Sequence, residues 1–316
     1  MYRALSIVIV LILSFISTFR IPESDLENYI YYYNLFSDFS FFDALSFSGK
    51  DPLYNLFVYA ISQFSQDSIF FQFIITFTFY FLNFSTIKLL KISDKFKFFI
   101  FLSIALNPLI YSIHLHLIRQ FLAYAILILS VFSINKYKSL FLGSISIGTH
   151  FSFILVWFLS LFKFNLKRVV IFIGMMLFVN LTLEYFKSLT ILSYLFKRAS
   201  GNFLDFGTLS LSQYIISIIL FYVSAISFVS ESFYLNTYFK RINLILHSIL
   251  ITSLFVNTEL FYRVFPICIV SLHFVFFDLY AAKKNIISYS NLIFVNSILL
   301  VTFVYSIFNG RWLYQF

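Results

Sequence analysis

SIFFQFIITFTFYFLNFSTI occupies residues 68–87, between Asp67 and Lys88, and carries no charged side chain. As a helix it rises about 30 Å, the thickness of a bilayer's hydrocarbon core. Lipid offers backbone N–H and C=O groups no partner except one another, so a run of this kind must be helical. Working outward, similar apolar runs fall near residues 4–19, 98–113, 119–133, 139–162, 168–183, 210–230, 242–256, 263–280 and 287–308.

Composition agrees. The chain has 316 residues, 61% hydrophobic and 11% charged. Soluble domains run nearer one half apolar and one quarter charged. Mean hydropathy is +0.92. A particle of this size could not hide so much apolar surface from water, which excludes both a soluble enzyme and a disordered chain. A single cysteine, Cys268, excludes a disulfide within the chain and a thiolate metal cluster. The basic flank Tyr2-Arg3 and the apolar stretch to Phe19 lack a small-residue cleavage site and read as an uncleaved first helix. The expected fold is all-α: a polytopic integral membrane protein with about ten to eleven transmembrane segments. It forms a single membrane domain over residues 1–316. Residues 20–67 form an outer, periplasmic loop with an interfacial helix at 52–64, and residues 184–209 form a second outer loop.

Lysine and arginine set orientation. The clusters are Arg3, Lys88/Lys91/Lys95/Lys97, Lys136/Lys138, Lys163/Lys167/Arg168, Lys240/Arg241 and Lys283/Lys284. All fall in the cytoplasm if 139–162 is a hairpin of two short helices that turns at Gly148-Thr149-His150. Only three of these fourteen residues are arginine, whereas five of the eight basic residues left outside are: Arg20, Arg119, Arg198, Arg263 and Arg311. Outer arginine works against the topological bias. Its planar fork suits phosphate or carboxylate, so the outer face reads as the working face, with an anionic ligand.

Several constellations there could carry chemistry. Arg119-Gln120 opens a helix that descends from the outer surface, in company with Asn107-Pro108, His114 and His116. A cation at that helix end opposes the dipole and asks for an anion nearby. Snorkelling is the plainer alternative. Arg263 follows Glu259 by four residues, and the two could simply pair on the helix surface. His150 at the hairpin tip puts an imidazole at the floor of a wet cavity, or merely caps the turn. Asp25, Tyr29 and Asp51 lie in the acidic outer loop, where a carboxylate could act as a base on a sugar hydroxyl, or could simply be solvated. Arg198 lies in the second outer loop. His247 and His273 read as packing residues with interhelical hydrogen bonds. No metal-binding motif is visible, so neither metal nor cofactor is expected.

The set Arg20…Asp25…Tyr29, Asp51-Pro52-Leu53-Tyr54, Arg119-Gln120, His150 and Arg263 resembles the EpsG/Wzy-type polysaccharide polymerases. The resemblance implies a multi-pass enzyme of the bacterial cell inner membrane, working at its periplasmic face. Such an enzyme joins undecaprenyl-diphosphate-linked oligosaccharide repeat units of O-antigen or exopolysaccharide, with inversion at the anomeric carbon. It also implies a chain-length regulator and a flippase as partners in the bilayer, and no nucleic acid. Carried onto these residues, it gives Asp25, His150 and Arg119 catalytic roles. Arg119, Gln120, Arg263, Asp51 and Tyr29 become substrate ligands, and Arg198, an outer arginine beyond the matched motifs, joins them on its charge. The competing readings are a lipid-linked oligosaccharide flippase and an O-antigen ligase. Seven glycines and four prolines are few for a transporter built on broken helices.

Overall fold

The fold was analysed in a computed structural model. It describes residues 2–154 except 24, 48–50 and 134, together with 156–157, 174, 215, 217–223, 225, 237–256, 258–282 and 301. Among these residues all regular structure is helical. The order is α1 (Tyr2–Ser17), α2 (Asp25–Phe36), α3 (Phe41–Ser46), α4 (Pro52–Ser62), α5 (Ser68–Leu89), α6 (Asp94–Ala105), α7 (Pro108–Ile113), α8 (Ile118–Phe132) and α9 (Lys136–Thr149). α10 (Thr237–Val256) and α11 (Thr258–Ala282) follow.

α1 is built inside out relative to a helix in water. It buries Ser6, Ser14 and Ser17 with Val10 and Leu13, and turns Leu5, Ile7, Val8, Leu11, Ile12 and Phe15 outward. The Ser14 and Ser17 hydroxyls return to backbone carbonyls at 2.7 Å, so small satisfied groups face the neighbouring helix and apolar ones face away. That is how a helix packs in lipid. α1 lies antiparallel to α5: Ser17 meets the Gln72 carbonyl at one end, and Arg3 lies near Lys88 at the other. α5 is the one helix among the described residues both long and apolar enough to cross a membrane; Tyr2–Ser17, Ile118–Phe132 and Phe261–Val275 are shorter apolar helices.

α8 is the central element, buried along most of its length. α9 returns antiparallel against it. Ser130 and Ser146 each donate a hydrogen bond of 2.7 Å across that pair, to the Ser139 and Ala123 carbonyls. Phe132 on α8 packs with Phe239 on α10 and Phe274 on α11, and the Ser271 hydroxyl meets Asn243 Oδ1 at 2.6 Å.

Three stretches differ from the sequence expectation. Residues 20–51 are not an open loop. They hold α2, which buries Leu26, Tyr33 and Phe36, and α3, started by a reciprocal capping box between Ser40 and Asp43. α4, where a helix was expected at 52–64, packs against α2, α3, α5 and α9. The apolar run 98–113 is two helices, not one. α6 ends at Ala105, Asn107 accepts from the Leu109 and Ile110 N–H groups, and Pro108 opens α7. Asn107-Pro108 therefore breaks that run. Arg263 lies in the second turn of α11 instead of heading that helix. The break expected at 148–150 is where α9 stops: His150 is extended, the chain turns, and the Trp157 ring comes back against Gly143.

Candidate active site

Asp51 is the point where three elements meet. Its backbone is left-handed, with φ 51° and ψ 51°, the only non-glycine residue with positive φ among those described. It precedes Pro52, the first residue of α4, yet its side chain does not cap that helix. The carboxylate turns away to take three donors instead. Arg119 Nη1, in the first turn of α8, donates to Oδ2 at 2.7 Å. His150 Nδ1, just past α9, lies 3.3 Å from the same oxygen, and the Phe151 N–H donates to Oδ1 at 2.9 Å. Asp51 is 4% exposed, Arg119 36% and His150 16%. Burial would raise the Asp51 carboxyl. The hydrogen bonds from His150 and the Phe151 N–H, with the charges of His150 and Arg119, outweigh it and hold the group below its ordinary value.

Two tyrosines flank the guanidinium. Its central carbon lies 5.8 Å from the Tyr29 ring centre and 6.0 Å from that of Tyr54, and the two rings meet edge to face at 5.9 Å. The Tyr29 hydroxyl also hydrogen-bonds to Arg119. Asp25 and Arg263, both exposed, act on Tyr29 through their charges and so border the cluster. Gln120 is buried, and its Oε1 has no partner among the described residues. Arg198 and the loop 184–209 lie outside the described residues, as does the Glu259 side chain.

A buried cation, Arg20, reaches His116, on the turn before α8 and three residues ahead of Arg119. Arg20 Nη2 donates to His116 Nε2 at 2.7 Å and Nη1 to the Tyr111 carbonyl at 3.3 Å. Burial lowers the guanidinium to about 10, so it remains charged at neutral pH. Burial and then Arg20 lower His116 to about 4, and a neutral imidazole can accept from the guanidinium. His114 bridges the Tyr111 carbonyl at 2.7 Å and Thr76 Oγ1 at 2.9 Å. His273 meets Asn107 at 3.2 Å, an interhelical bond, whereas His247 Nδ1 turns to its own helix at the Asn243 carbonyl. The opposite end of the α1–α5 pair holds Arg3, Lys88, Asp94 and Lys97, with Arg3 3.4 Å and Lys97 3.8 Å from Asp94.

Against this geometry, the model of the EpsG family matches residues 3–316. The chain belongs to the EpsG family. EpsG proteins are a Wzy-type, polymerase-like family of membrane proteins in polysaccharide biosynthesis. Searches of curated proteins and of solved structures returned no match for this EpsG chain.

The structure brings Arg119, His150 and Tyr29, named separately from the sequence, together around Asp51. The sequence reading named Asp51 and Tyr54 but did not join them to Arg119, and it did not pair Arg20 with His116. The anion that Arg119 called for is Asp51 itself. No local signal marks Asp51: its place before Pro52, which opens α4, reads as an N-cap, a role its side chain does not take.

Proposed function

We propose that this EpsG protein is a multi-pass polymerase of the bacterial inner membrane, a single membrane domain over residues 1–316. It joins lipid-diphosphate-linked oligosaccharide repeat units at the periplasmic face. The growing chain leaves its undecaprenyl diphosphate and is transferred to a hydroxyl of the next lipid-linked unit, with inversion at the anomeric carbon. Arg119, with Arg263 and Arg198, engages the diphosphate as the C1–O bond breaks and negative charge gathers on the leaving group. Gln120 and Tyr29 contact the substrate. The base is His150 or Asp25. A chain-length regulator and a flippase are the expected partners.

One observation carries the reading. The Arg119–Asp51–His150 cluster gathers a guanidinium, a carboxylate and an imidazole at one site, apart from the Arg3, Lys88 and Lys97 cluster. A leaving diphosphate needs a preorganised cation and an attacking hydroxyl needs a base. The cluster offers both within one carboxylate's reach.

The test is a strain lacking the gene, complemented with wild type or with Arg119→Ala, its surface polysaccharide resolved on a gel. Collapse of the ladder to a single repeat, both in the deletion and in a normally expressed Arg119→Ala strain, is expected. Loss of even the single repeat would point to a flippase or ligase, and a full ladder in the deletion would end the reading.

A further inference from the structure

We infer that Asp51 is the positioning residue that fixes the His150 tautomer and so makes Nε2 the base for the acceptor hydroxyl. The inference rests on the polymerase reading and settles a choice it leaves open, between His150 and Asp25.

The argument is one of donors and acceptors. An ionised carboxylate only accepts. Its Oδ2 faces His150 Nδ1, so that nitrogen carries the proton and Nε2 presents a lone pair. Nε2 has no hydrogen-bond partner among the described residues, and it is not among the atoms sealed from solvent. Asp51 cannot easily turn elsewhere. Its Oδ1 is held by the Phe151 N–H, next in sequence to His150, and its Oδ2 also takes Arg119. The left-handed backbone at Asp51 is what swings the carboxylate off its own helix and toward α8 and α9. Asp25, exposed at the start of α2, acts on Tyr29 through its charge, whereas His150 meets the Asp51 carboxylate directly.

The groups facing His150 are Asp51 before α4 and Arg119 on α8. Behind Arg119 stand Tyr29 on α2 and Tyr54 on α4, with Asp25 and Arg263 acting through Tyr29. In the step itself the acceptor oxygen bonds to C1 and its proton passes to Nε2. The C1–O bond to the lipid diphosphate breaks, and the electron pair leaves on the phosphate oxygen. His150 ends as an imidazolium against the Asp51 carboxylate, and then returns the proton to water.

The experiment uses full-length protein in lipid vesicles and, as probe, the lipid-diphosphate oligosaccharide extracted from a strain lacking the gene. Nitrogen NMR of labelled wild type reads the His150 tautomer directly, with a His150→Gln protein used to assign the signal. A protonated Nδ1 and a bare Nε2 are expected. A protonated Nε2 in wild type overturns the inference, and this reading needs no variant of Asp51 to fold. Asp51→Asn should lower kcat by about 100-fold or more while moving KM little, in the direction of the loss seen when the carboxylate of a Ser-His-Asp triad is made neutral and the histidine takes the wrong tautomer. Asp51→Glu should restore part of it. A folded Asp51→Asn protein with wild-type kcat would also overturn the inference. No polymer from wild type retires the polymerase reading itself, and with it the base.

Discussion

Gly148→Ala should reverse its sign when Leu53 is shortened. Gly148 lies two residues before His150, and Leu53 two residues after Asp51. A Cβ at Gly148 would stand 2.6 Å from Leu53 Cδ1, 2.7 Å from Cγ and 3.3 Å from Cβ. Comfortable carbon contacts lie at about 3.5–4.0 Å, so α4 and α9 must part by about 1 Å or Leu53 must leave its rotamer. Overpacking of this kind costs about 1–3 kcal/mol. Alanine over glycine within a helix returns about 1 kcal/mol. The net is a destabilisation of about 1 kcal/mol. In a Leu53→Ala background the two closest atoms are gone, and the same substitution should stabilise by up to about 1 kcal/mol. The coupling is therefore about 2 kcal/mol, well above the ~0.5 kcal/mol scatter of independent sites. The assay is thermal unfolding of the four proteins in detergent micelles, followed by circular dichroism. Activity should follow, because a shift of about 1 Å between Asp51 and His150 can cost roughly 100-fold in rate. Equal effects of Gly148→Ala in both backgrounds would refute the claim that this close approach sets the spacing of the site.

Other outcomes follow from single contacts. Asp51 titrates below its ordinary value, so its contribution to stability is complete above about pH 4 and drains away as pH falls below that, through the depressed native value. Melting temperatures of wild type and Asp51→Asn should therefore converge on acidification from about pH 7 to about pH 3. Asn107→Ala removes the cap of α7 and the bond to His273 and should cost about 1–2 kcal/mol in the same thermal assay. Arg20→Ala strips the donor from His116 Nε2, while the Tyr111 carbonyl keeps His114; a loss of about 2 kcal/mol is expected, and less for Arg20→Met, which keeps the packing.

The helical fold was legible wherever apolar runs were long and cleanly bounded, as at α1, α5 and α8. α2 and α3 were hidden because Asp25, Glu27, Asp38 and Asp43 made their segment look solvated, although Ser40 and Asp43 stand at capping-box spacing. Asn107-Pro108 was visible as residues but not as a break, since the apolar run continues through both sides of it. In the site, Arg119 and His150 could be found one at a time from what each costs to place. Their common partner could not, because Asp51 lies 68 residues from Arg119 and 99 from His150, and only tertiary packing brings them together.

The order of these charges along the chain bears on biosynthesis. Asp51 and both tyrosines emerge from the ribosome ahead of Arg119. On the multi-pass reading, the acidic segment has already been translocated when α8 enters the bilayer. The arginine at the head of α8 then meets a waiting counter-ion rather than bare lipid. His150 and Phe151 emerge next and saturate the carboxylate, so every member of the cluster has been synthesised within residues 29–151, before the remaining half of the protein exists.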